Sequence, residues 1–538
     1  MALSRICLLI IGVFGFSASI AQVNRYMVFF KDKHGTPYNI HAPGDFLSHD
    51  AIARRIHQGL TVTELDLPVN PAYTEGVKQT GVDVFYSSKW FNAVLVQCET
   101  TQLSAITGLA FVDHVEYVAP GQKLIPSGRR RFNLRHKDVK EDVTQTQLAM
   151  LGIHQMHNAE IFGDSMTIAV FDSGFQGVDT IPAFNHLFEN GQINLTLSHD
   201  FVYNTKNVYR YDDHGTEVFS VIAAEIPDAF TGGAPKAKFQ LYVTEDGTSE
   251  YRIEEYNWAF AAERADSAGV DIITSSLGYY DFDDPTMNYS KAEMDGQTAV
   301  STRAAQWAAD RGIAVVVSAG NEGNIAWRLI TAPADAEDVI AVANVDSHGN
   351  RSPSSSIGPS ADNRIKPDLA ALGTGVKTIK ANGTQGASSG TSLAAPLITS
   401  LVAGVWQRYP YLTNLEVIEL LKRSATLAQT PNNLIGYGIP NFEAVVAYHD
   451  EIEHQNLFEV YPNPVVDTLT LSPIDPDSVS NCFIELISSH GQIIAQENVN
   501  FDWLNRKFHT DVSALAAGIY FVRVWYDNKR YVFKIVRT

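Results

Sequence analysis

Three short segments of the chain carry the side chains that a serine needs to hydrolyse an amide. Asp172 ends the apolar segment AVFD, His214 precedes Gly-Thr and an apolar run, and Ser392 lies within SSGTSLAAP. In that chemistry an imidazole takes the proton of the serine hydroxyl, and a buried carboxylate holds the imidazole in the required tautomer. Asn321, in SAGNEG, could donate a side-chain N–H to the oxyanion, together with the backbone N–H of Ser392. The four residues predict a nucleophilic serine site.

Each of these residue types has a more ordinary explanation when it stands alone. An aspartate after a strand is commonly a turn former, and a histidine or serine at a helix start is commonly a cap. An asparagine before Glu-Gly is commonly a turn residue. Catalysis is favoured because all four occur in one order, each at a predicted strand end or helix start. The chemical interpretation therefore depends on the fold.

The region 143–448 is predicted to be an α/β domain with a parallel sheet covered by helices on both faces. Continuous apolar segments alternate with amphipathic helical patterns, which is typical of strands buried on both sides. In such sheets, ligand-binding and catalytic groups gather at the carboxyl ends of the strands, where Asp172 and Asn321 lie. The predicted strands are 166–172, 270–278, 313–321 and 339–346, and the clearest helices are 254–269 and 299–312.

The motifs TIAVFDSGF, HGTEV, SAGNEG and GTSLAAPLIT together resemble those of the subtilisin-family (subtilase) serine endopeptidases over about 143–448. The resemblance implies a subtilisin-like fold, with Asp172, His214 and Ser392 as the catalytic triad and Asn321 in the oxyanion hole. Many relatives have a histidine where this chain has Leu397. The implied substrates are proteins or peptides.

The segment Ser276-Leu277-Gly278 matches the motif with which subtilases bind the substrate backbone. The resemblance implies β-type pairing between this segment and the substrate. The same residues could also be a strand that merely enters a turn, because they carry no chemistry of their own.

The resemblance implies no cofactor for the reaction. It is compatible with structural calcium, whose ligands the sequence does not identify. The insertion 279–296 holds several acids and aromatic residues and could contact substrate or bind calcium. It lacks the regular ligand spacing of an EF-hand, which favours a solvated surface loop.

The N-terminus predicts export. Arg5, a short apolar run, and the small residues Ser19 and Ala21 before Gln22 indicate a signal peptide over 1–21. No later segment has the roughly 20 uninterrupted apolar residues of a membrane span, so no stable membrane insertion is expected. A formal net charge of −20 argues against a nucleic-acid partner. Beyond the signal, Cys98 and Cys482 lie far apart in sequence, so no structural disulfide is expected.

Two further domains are predicted around the α/β domain. Residues 22–120 form a small α/β unit, followed by a basic processing linker at 121–142. Because subtilases commonly carry an inhibitory, folding-assisting propeptide in this position, the unit is interpreted as one, and the enzyme's own propeptide becomes a binding partner.

After a polar linker at 449–456, residues 457–538 are predicted to form a small all-β sandwich. The elements YPNP, DVSALAAGIYFVRV and KIVR resemble the C-terminal sorting domain of the type IX secretion system of Bacteroidetes. This favours the type IX machinery as a partner and a secreted or cell-surface location reached through the periplasm. A carbohydrate-binding or adhesive module is the alternative.

Two other functions remain open for the chain as a whole. One is a catalytically silent relative that is retained as a surface-binding protein. The other is a peptide acyl transferase, in which an amine replaces water as the acceptor. Labelling with a fluorophosphonate would test the first alternative, and mass analysis of the products would test the second.

Overall fold

The structure, a computed structural model, describes residues 23–121, 143–454, 457–474, 479–501, 506–527 and 529–538. The predicted signal peptide at 1–21 and nearly all of the processing linker at 121–142 lie outside these ranges. In the part of the chain that is described, no helix is both long and apolar enough to cross a membrane.

The N-terminal domain is a four-stranded antiparallel sheet in the order β2-β3-β1-β4. The predicted strands and helices are present, and the structure adds the helix α2 and the strand β2. The strand β2 was not predicted, because its side chains are mostly half-buried and do not alternate. The elements are β1 (Val23–Phe30), α1 (His49–His57), α2 (Pro71–Lys78), β2 (Asp83–Ser88), β3 (Ala93–Glu99), α3 (Leu103–Thr107) and β4 (Val112–Pro120).

The central domain contains a seven-stranded sheet in the order β13-β12-β11-β10-β5-β9-β6, and all of its neighbouring strands are parallel. This confirms the predicted α/β fold. In this domain, β7 with β8 and β14 with β15 form two separate two-stranded sheets. The strands of the domain are β5 (Thr167–Asp172), β6 (His199–Asp200), β7 (Glu225–Ile226), β8 (Phe230–Thr231), β9 (Lys238–Val243), β10 (Ile272–Ser275), β11 (Ala314–Ser318), β12 (Ile340–Val345), β13 (Leu369–Leu372), β14 (Val376–Ile379) and β15 (Gln385–Ser388).

Two helices of this domain are buried almost completely and carry residues of the predicted site. The helix α10 is buried from Thr391 through Trp406, and α7 is buried after its first residue, His214. Their positions are fixed by the core that surrounds them. The helices are α4 (Gln145–Met150), α5 (Ile153–Asn158), α6 (Asn185–Glu189), α7 (His214–Ala223), α8 (Ile253–Ala268), α9 (Val300–Ala309), α10 (Thr391–Arg408), α11 (Asn414–Arg423) and α12 (Phe442–His454).

The last helix of the central domain runs into the segment predicted as a linker. The sequence assigns 449–456 to a polar linker, whereas α12 continues through His454. The segment contains neither glycine nor proline, so nothing in it stops a helix that has already begun. Polarity alone did not reveal this continuation.

The C-terminal domain consists of two antiparallel sheets, β16-β17-β20 and β19-β18-β21-β22, as predicted for an all-β domain. Apolar side chains from both sheets, including Leu471 and Val524, form its core. Cys482 of this domain and Cys98 of the N-terminal domain are both buried and free. The strands are β16 (Phe458–Tyr461), β17 (Thr468–Pro473), β18 (Asn481–Ser488), β19 (Ile493–Asn500), β20 (Phe508–Asp511), β21 (Gly518–Tyr526) and β22 (Lys529–Arg537).

A buried group of charged side chains joins the N-terminal domain to α8. Asp266 of α8 is fully buried and accepts hydrogen bonds from Arg54 (2.6 Å), Arg55 (2.8 Å) and Lys89 (2.7 Å) of the N-terminal domain. Burial alone would raise the pKa of Asp266, but these three cations outweigh it and hold that pKa well below its usual range. This group is called the Asp266 cluster below.

Candidate active site

The carboxylate of Asp172 and the imidazole of His214 meet at the carboxyl edge of the parallel sheet. Asp172 is the last residue of β5 and is fully buried. Its Oδ1 accepts a hydrogen bond from His214 Nδ1 at 2.8 Å and another from the backbone N–H of Ser173, also at 2.8 Å. The structure thus brings together two of the predicted catalytic side chains, in the geometry that fixes a histidine tautomer.

Glycine allows this close approach. A Cβ atom at position 215 would lie 2.3 Å from the carbonyl oxygen of Gly174 and 2.8 Å from Cβ of Asp172. A side chain there would push the start of α7 away from the end of β5. The Gly that follows His214 in the sequence motif is therefore required for the carboxylate–imidazole contact.

The electrostatics of His214 are set by its acidic neighbours. The charge of Asp172 is the largest cause, and it raises the pKa of His214 to about 9, with smaller contributions from Asp212 and Glu217. The side chain is 38% exposed, so its imidazole can be reached from solvent. His214 can therefore both contact a substrate and exchange a proton.

Ser392 is the second residue of α10 and is hydrogen-bonded to the chain segment that follows β10. The hydroxyl of Ser276 donates to the carbonyl of Ser392 at 2.8 Å, and Ser392 Oγ donates to the carbonyl of Ser276 at 3.4 Å. Pro396 makes the first of these bonds available, because it lacks the N–H that would otherwise bond the Ser392 carbonyl within the helix. Ser392 and His214 both lie in the described part of the chain. No hydrogen bond joins Ser392 Oγ to His214 there.

The sheet places Ser392 at the same edge as Asp172. The strands β10 and β5 are parallel neighbours with Ser275 opposite Phe171, so Ser276, the residue after β10, lies beside Asp172, the last residue of β5. Because Ser392 is bonded to Ser276 and His214 to Asp172, all three predicted triad residues lie at the carboxyl edge of the sheet.

Asn321 is oriented by the start of α10. Its Oδ1 accepts from the backbone N–H of Thr391 at 3.0 Å and from the Thr391 hydroxyl at 3.2 Å. This leaves the NH₂ group of an exposed residue directed away from those contacts. The preceding Gly390 has φ 157° and ψ 163°, a conformation that is essentially limited to glycine. The amide orientation fits the predicted donor role.

The residues predicted to bind substrate directly follow β10. Ser276 is buried, Leu277 is half-buried and Gly278 is exposed, so the segment emerges from the core at the site. A Cβ atom at position 278 would lie 2.2 Å from the Thr331 hydroxyl. The role of Ser276 in holding the Ser392 carbonyl was not predicted, because it depends on a contact between segments distant in sequence.

Glu217 is a further residue that was not singled out from the sequence. It lies one turn after His214, is 9% exposed, and accepts from Lys380 Nζ at 2.6 Å and from the Thr378 hydroxyl at 3.0 Å. The hydroxyl of Ser388 also donates to it. Glu217 thus ties the helix that begins with His214 to the segment that leads to Ser392. A glutamate within an otherwise apolar helix was the signal that could have identified it.

The insertion 279–296 is only partly a solvated loop, which corrects the expectation. Tyr279, Phe282 and Tyr289 are buried in the core, whereas Asp281 and Asp283 are exposed. The aromatic residues anchor the insertion, because removing their rings from water stabilises the fold. The described residues of this insertion contribute no group of three His, Cys, Asp or Glu side chains close enough to hold a metal ion.

Within the described ranges, one set of side chains does meet that spacing, namely Glu245, Glu250 and Glu254. Three carboxylates fit the preference of a hard cation such as Ca²⁺ for oxygen ligands. Their spacing in the sequence is irregular and was not recognised as a ligand pattern.

Comparison with protein families finds three matching regions along the chain. Residues 163–438 match the Subtilase family, residues 25–132 match the Peptidase S8 propeptide domain of Bacteroidota, and residues 459–538 match the Secretion system C-terminal sorting domain. The last match supports sorting over the adhesive alternative and confirms the predicted secreted or cell-surface location.

The individual relatives found by sequence are only distantly similar to this chain. The chain is 30% identical over 275 residues to subtilisin NAT of Bacillus subtilis subsp. natto, covering 50% of this chain and 63% of that protein. It therefore spans less than two thirds of that relative. It is 29% identical over 293 residues to subtilisin of Bacillus pumilus, covering 54% of this chain and 94% of that protein.

A solved structure shows the same fold. The epidermin leader peptide processing serine protease of Staphylococcus aureus superposes with a TM-score of 0.55 at 16% identity. The superposition covers 79% of this chain and 99% of that one. At this identity the likeness concerns the fold alone. Because the family model spans about half of the sequence, and the site motifs stand at the carboxyl edge of a parallel sheet, the chain belongs to the subtilase family.

Proposed function

We propose that the chain is a secreted serine endopeptidase that hydrolyses peptide bonds of proteins through an acyl-enzyme on Ser392. The observation that carries the proposal is the 2.8 Å hydrogen bond between His214 Nδ1 and the buried carboxylate of Asp172. A surface-binding protein would have no use for a buried carboxylate that raises the pKa of a half-exposed imidazole.

In the proposed acylation, the Ser392 hydroxyl turns from the Ser276 carbonyl to His214, which takes its proton. The Oγ atom then forms a bond to the substrate carbonyl carbon. Asn321 Nδ2 and the Ser392 backbone N–H donate to the oxyanion, and the N-terminus of α10 adds a favourable dipole. His214 returns the proton to the leaving amine as the peptide C–N bond breaks.

Deacylation repeats these steps with water. His214 takes a proton from the water as its oxygen attacks the ester carbon, and the same donors hold the second oxyanion. The Ser392–Oγ bond to the acyl group then breaks, and the hydroxyl regains its proton from His214. None of these steps requires a cofactor.

We propose that Ser276, Leu277 and Gly278 hold the substrate backbone as an added strand. This segment emerges beside Ser392 with its last residue exposed. A strand-like substrate would be fixed by main-chain hydrogen bonds whatever its side chains, which suits an enzyme that acts on many sequences.

We also propose that residues 22–120 act as a propeptide in the precursor, that 121–142 is the segment cut, and that 143–448 is the catalytic domain. The tail, 457–538, is proposed to engage the type IX secretion machinery. The support is the family matches to the first and last of these regions.

The test is Ser392→Ala, compared with Ser489→Ala, which changes an exposed serine in a turn of the tail. Ser392→Ala should lower peptide hydrolysis by about a million-fold, the magnitude known for subtilisin itself, and should abolish fluorophosphonate labelling. Ser489→Ala should leave both unchanged. Labelling that persisted in purified Ser392→Ala would place the nucleophile elsewhere, and an unlabelled parent enzyme would favour the silent relative.

A further inference from the structure

Three glutamates meet close to the catalytic carboxylate. Glu245 follows β9, Glu254 lies in the first turn of α8, and Glu250 lies in the loop between them. A carboxylate oxygen from each lies within 4.8 Å of the other two. Because β9 pairs with β5 and Val243 is opposite Asp172, this glutamate cluster stands at the same sheet edge as the triad.

Few hydrogen-bond donors contact the carboxylates of the glutamate cluster. Glu245 accepts from the Tyr279 hydroxyl, and Glu254 Oε1 accepts from the backbone N–H of Asp246 at 2.9 Å. Glu254 is only 1% exposed, and its Oε2 has no hydrogen-bond partner. Among the described residues, no Lys, Arg or His nitrogen lies within 4.0 Å of the three carboxylates. The negative charges are therefore not balanced by a paired cation of the protein.

A neighbouring side chain presents a second orphan oxygen. Asn257 lines a cavity of about 210 Å³ together with Glu254 and Asp246. Its Nδ2 donates to the carbonyl of Thr244 at 3.1 Å, while its Oδ1 is buried without a partner. Buried acceptors that lack a donor are costly unless something else satisfies them. A cation held by the three glutamates would satisfy Glu254 Oε2.

The electrostatics agree with this requirement. Burial is the largest cause that raises the pKa of Glu245 and of Glu254, and the charge of the neighbouring glutamates adds to it. Burial and the charge of Asp283 raise the pKa of Glu250 to about 7. Three acids held together in this way stay protonated or repel one another unless a positive charge lies between them.

We propose that Glu245, Glu250 and Glu254 bind a divalent cation of the calcium class. All of these donors are hard oxygens, and their irregular spacing suits the flexible coordination of Ca²⁺ better than the strict octahedron of Mg²⁺. Arg25 of the N-terminal domain lines the same cavity, but its Nε donates to Gln97 Oε1 at 3.3 Å.

The experiment uses the full chain carrying Ser392→Ala, so that self-digestion does not disturb the measurement. After treatment with EDTA and desalting, CaCl₂ is titrated by calorimetry. In parallel, Tb³⁺ is added, and its luminescence is excited through tyrosine, since Tyr279 contacts Glu245. Glu250→Gln and Glu254→Gln are compared with Glu337→Gln, which changes an exposed glutamate elsewhere in the domain.

The parent chain should bind Ca²⁺ saturably, Ca²⁺ should displace Tb³⁺, and the melting temperature should rise with Ca²⁺ at constant ionic strength. Each cluster variant should weaken binding at least ~10-fold, because affinity follows the number of charged ligands. Glu337→Gln should bind as the parent does.

Absence of saturable binding in the parent would overturn the proposal. Unchanged affinity in Glu250→Gln would overturn it too, because the cation would then lie elsewhere. Glu250 is only half-buried, so this variant decides the question even if Glu254→Gln fails to fold.

Discussion

The two domains attached to the catalytic domain are held to it in different ways. The N-terminal domain contributes three cations to the Asp266 cluster, in which Asp266 is fully buried. Among the contacts of the C-terminal domain with the rest of the chain, Arg530 pairs with Glu416, whose side chain is 39% exposed, and the ring of Phe521 packs on Tyr411. Arg523 donates to the backbone carbonyl of His57 in the N-terminal domain at 3.3 Å.

The difference predicts different consequences of breaking each contact. Removing one partner from a buried ion pair leaves an uncompensated charge and costs about 3–5 kcal/mol. A pair with a partly exposed partner, such as Glu416, loses less when it is broken, and a fully exposed pair contributes about 0–1 kcal/mol. The N-terminal domain should therefore stay bound after the chain is cut, as an inhibitor would, whereas the tail should behave as an independent unit.

The largest expected effect concerns how the N-terminal domain is cut from the precursor. If the enzyme's own active site makes the cut, Ser392→Ala should slow it by about a million-fold, and the uncut precursor should accumulate. N-terminal sequencing should find the active form beginning near 121–145. An active form that still starts at Gln22 would contradict the propeptide interpretation.

The next largest effect is expected from a substitution that disrupts the Asp266 cluster. Asp266→Asn leaves Arg54, Arg55 and Lys89 without their shared carboxylate, so the cleaved N-terminal domain should dissociate about 100-fold faster or more. The measurement is the lag before activity appears, followed together with the separation of the two pieces on a sizing column. Glu337→Gln is the matched control. Equal lags in the two variants would mean that apolar packing, and not the Asp266 cluster, holds the domain.

A smaller effect concerns pH. His214 acts as a base only when neutral, and its pKa is raised to about 9, so kcat/KM should rise about tenfold from pH 7 to pH 8 and level off above 9. Since Asp172, Asp212 and Glu217 all belong to the catalytic domain, the profile should be the same without either attached domain. A plateau already reached at pH 7 would show that the Asp172 charge does not control His214 in this way.

The smallest effect on catalysis is expected from the tail. Removal of 457–538 should change the activity less than about twofold and the stability of the catalytic domain by less than about 1 kcal/mol, because its charged contact is partly exposed. The same truncation should leave the enzyme in the periplasm, as measured by fractionation. Normal amounts in the medium would contradict the sorting role of the tail, and a large loss of activity would show that the two domains are coupled.

The fold of the catalytic domain was predictable where the sequence is continuously apolar. The strands β5, β10, β11 and β12 were recognised, because strands buried on both faces read as runs of Val, Ile and Ala. By contrast, β9 contains Lys238 and Gln240 among its apolar residues, and β13 is only Leu369–Leu372. Such short or mixed segments are defined by their neighbours in the sheet and not by their own pattern.

The site shows the same division. Asp172, His214 and Ser392 could be predicted from their residue types and order, because each lies in a short motif whose neighbouring residues are also needed for the proposed chemistry. The links between Ser276 and Ser392 and between Glu217 and Lys380 were not readable, since each joins segments distant in sequence. Residues that position the catalytic groups are therefore harder to predict than the groups themselves.

Pro396 lowers the stability of α10 but leaves the carbonyl of Ser392 free to accept the hydrogen bond from Ser276. A proline in the helix interior costs about 3 kcal/mol, so Pro396→Ala is the obvious way to make this buried helix more stable. The new N–H would then compete with the Ser276 hydroxyl for the Ser392 carbonyl. Selection for heat resistance alone would favour that substitution, which would loosen the proposed nucleophile, Ser392, from the segment that follows β10. With the proline in place, this turn of α10 is less stable, but the position of Ser392 is fixed by its hydrogen bond to Ser276.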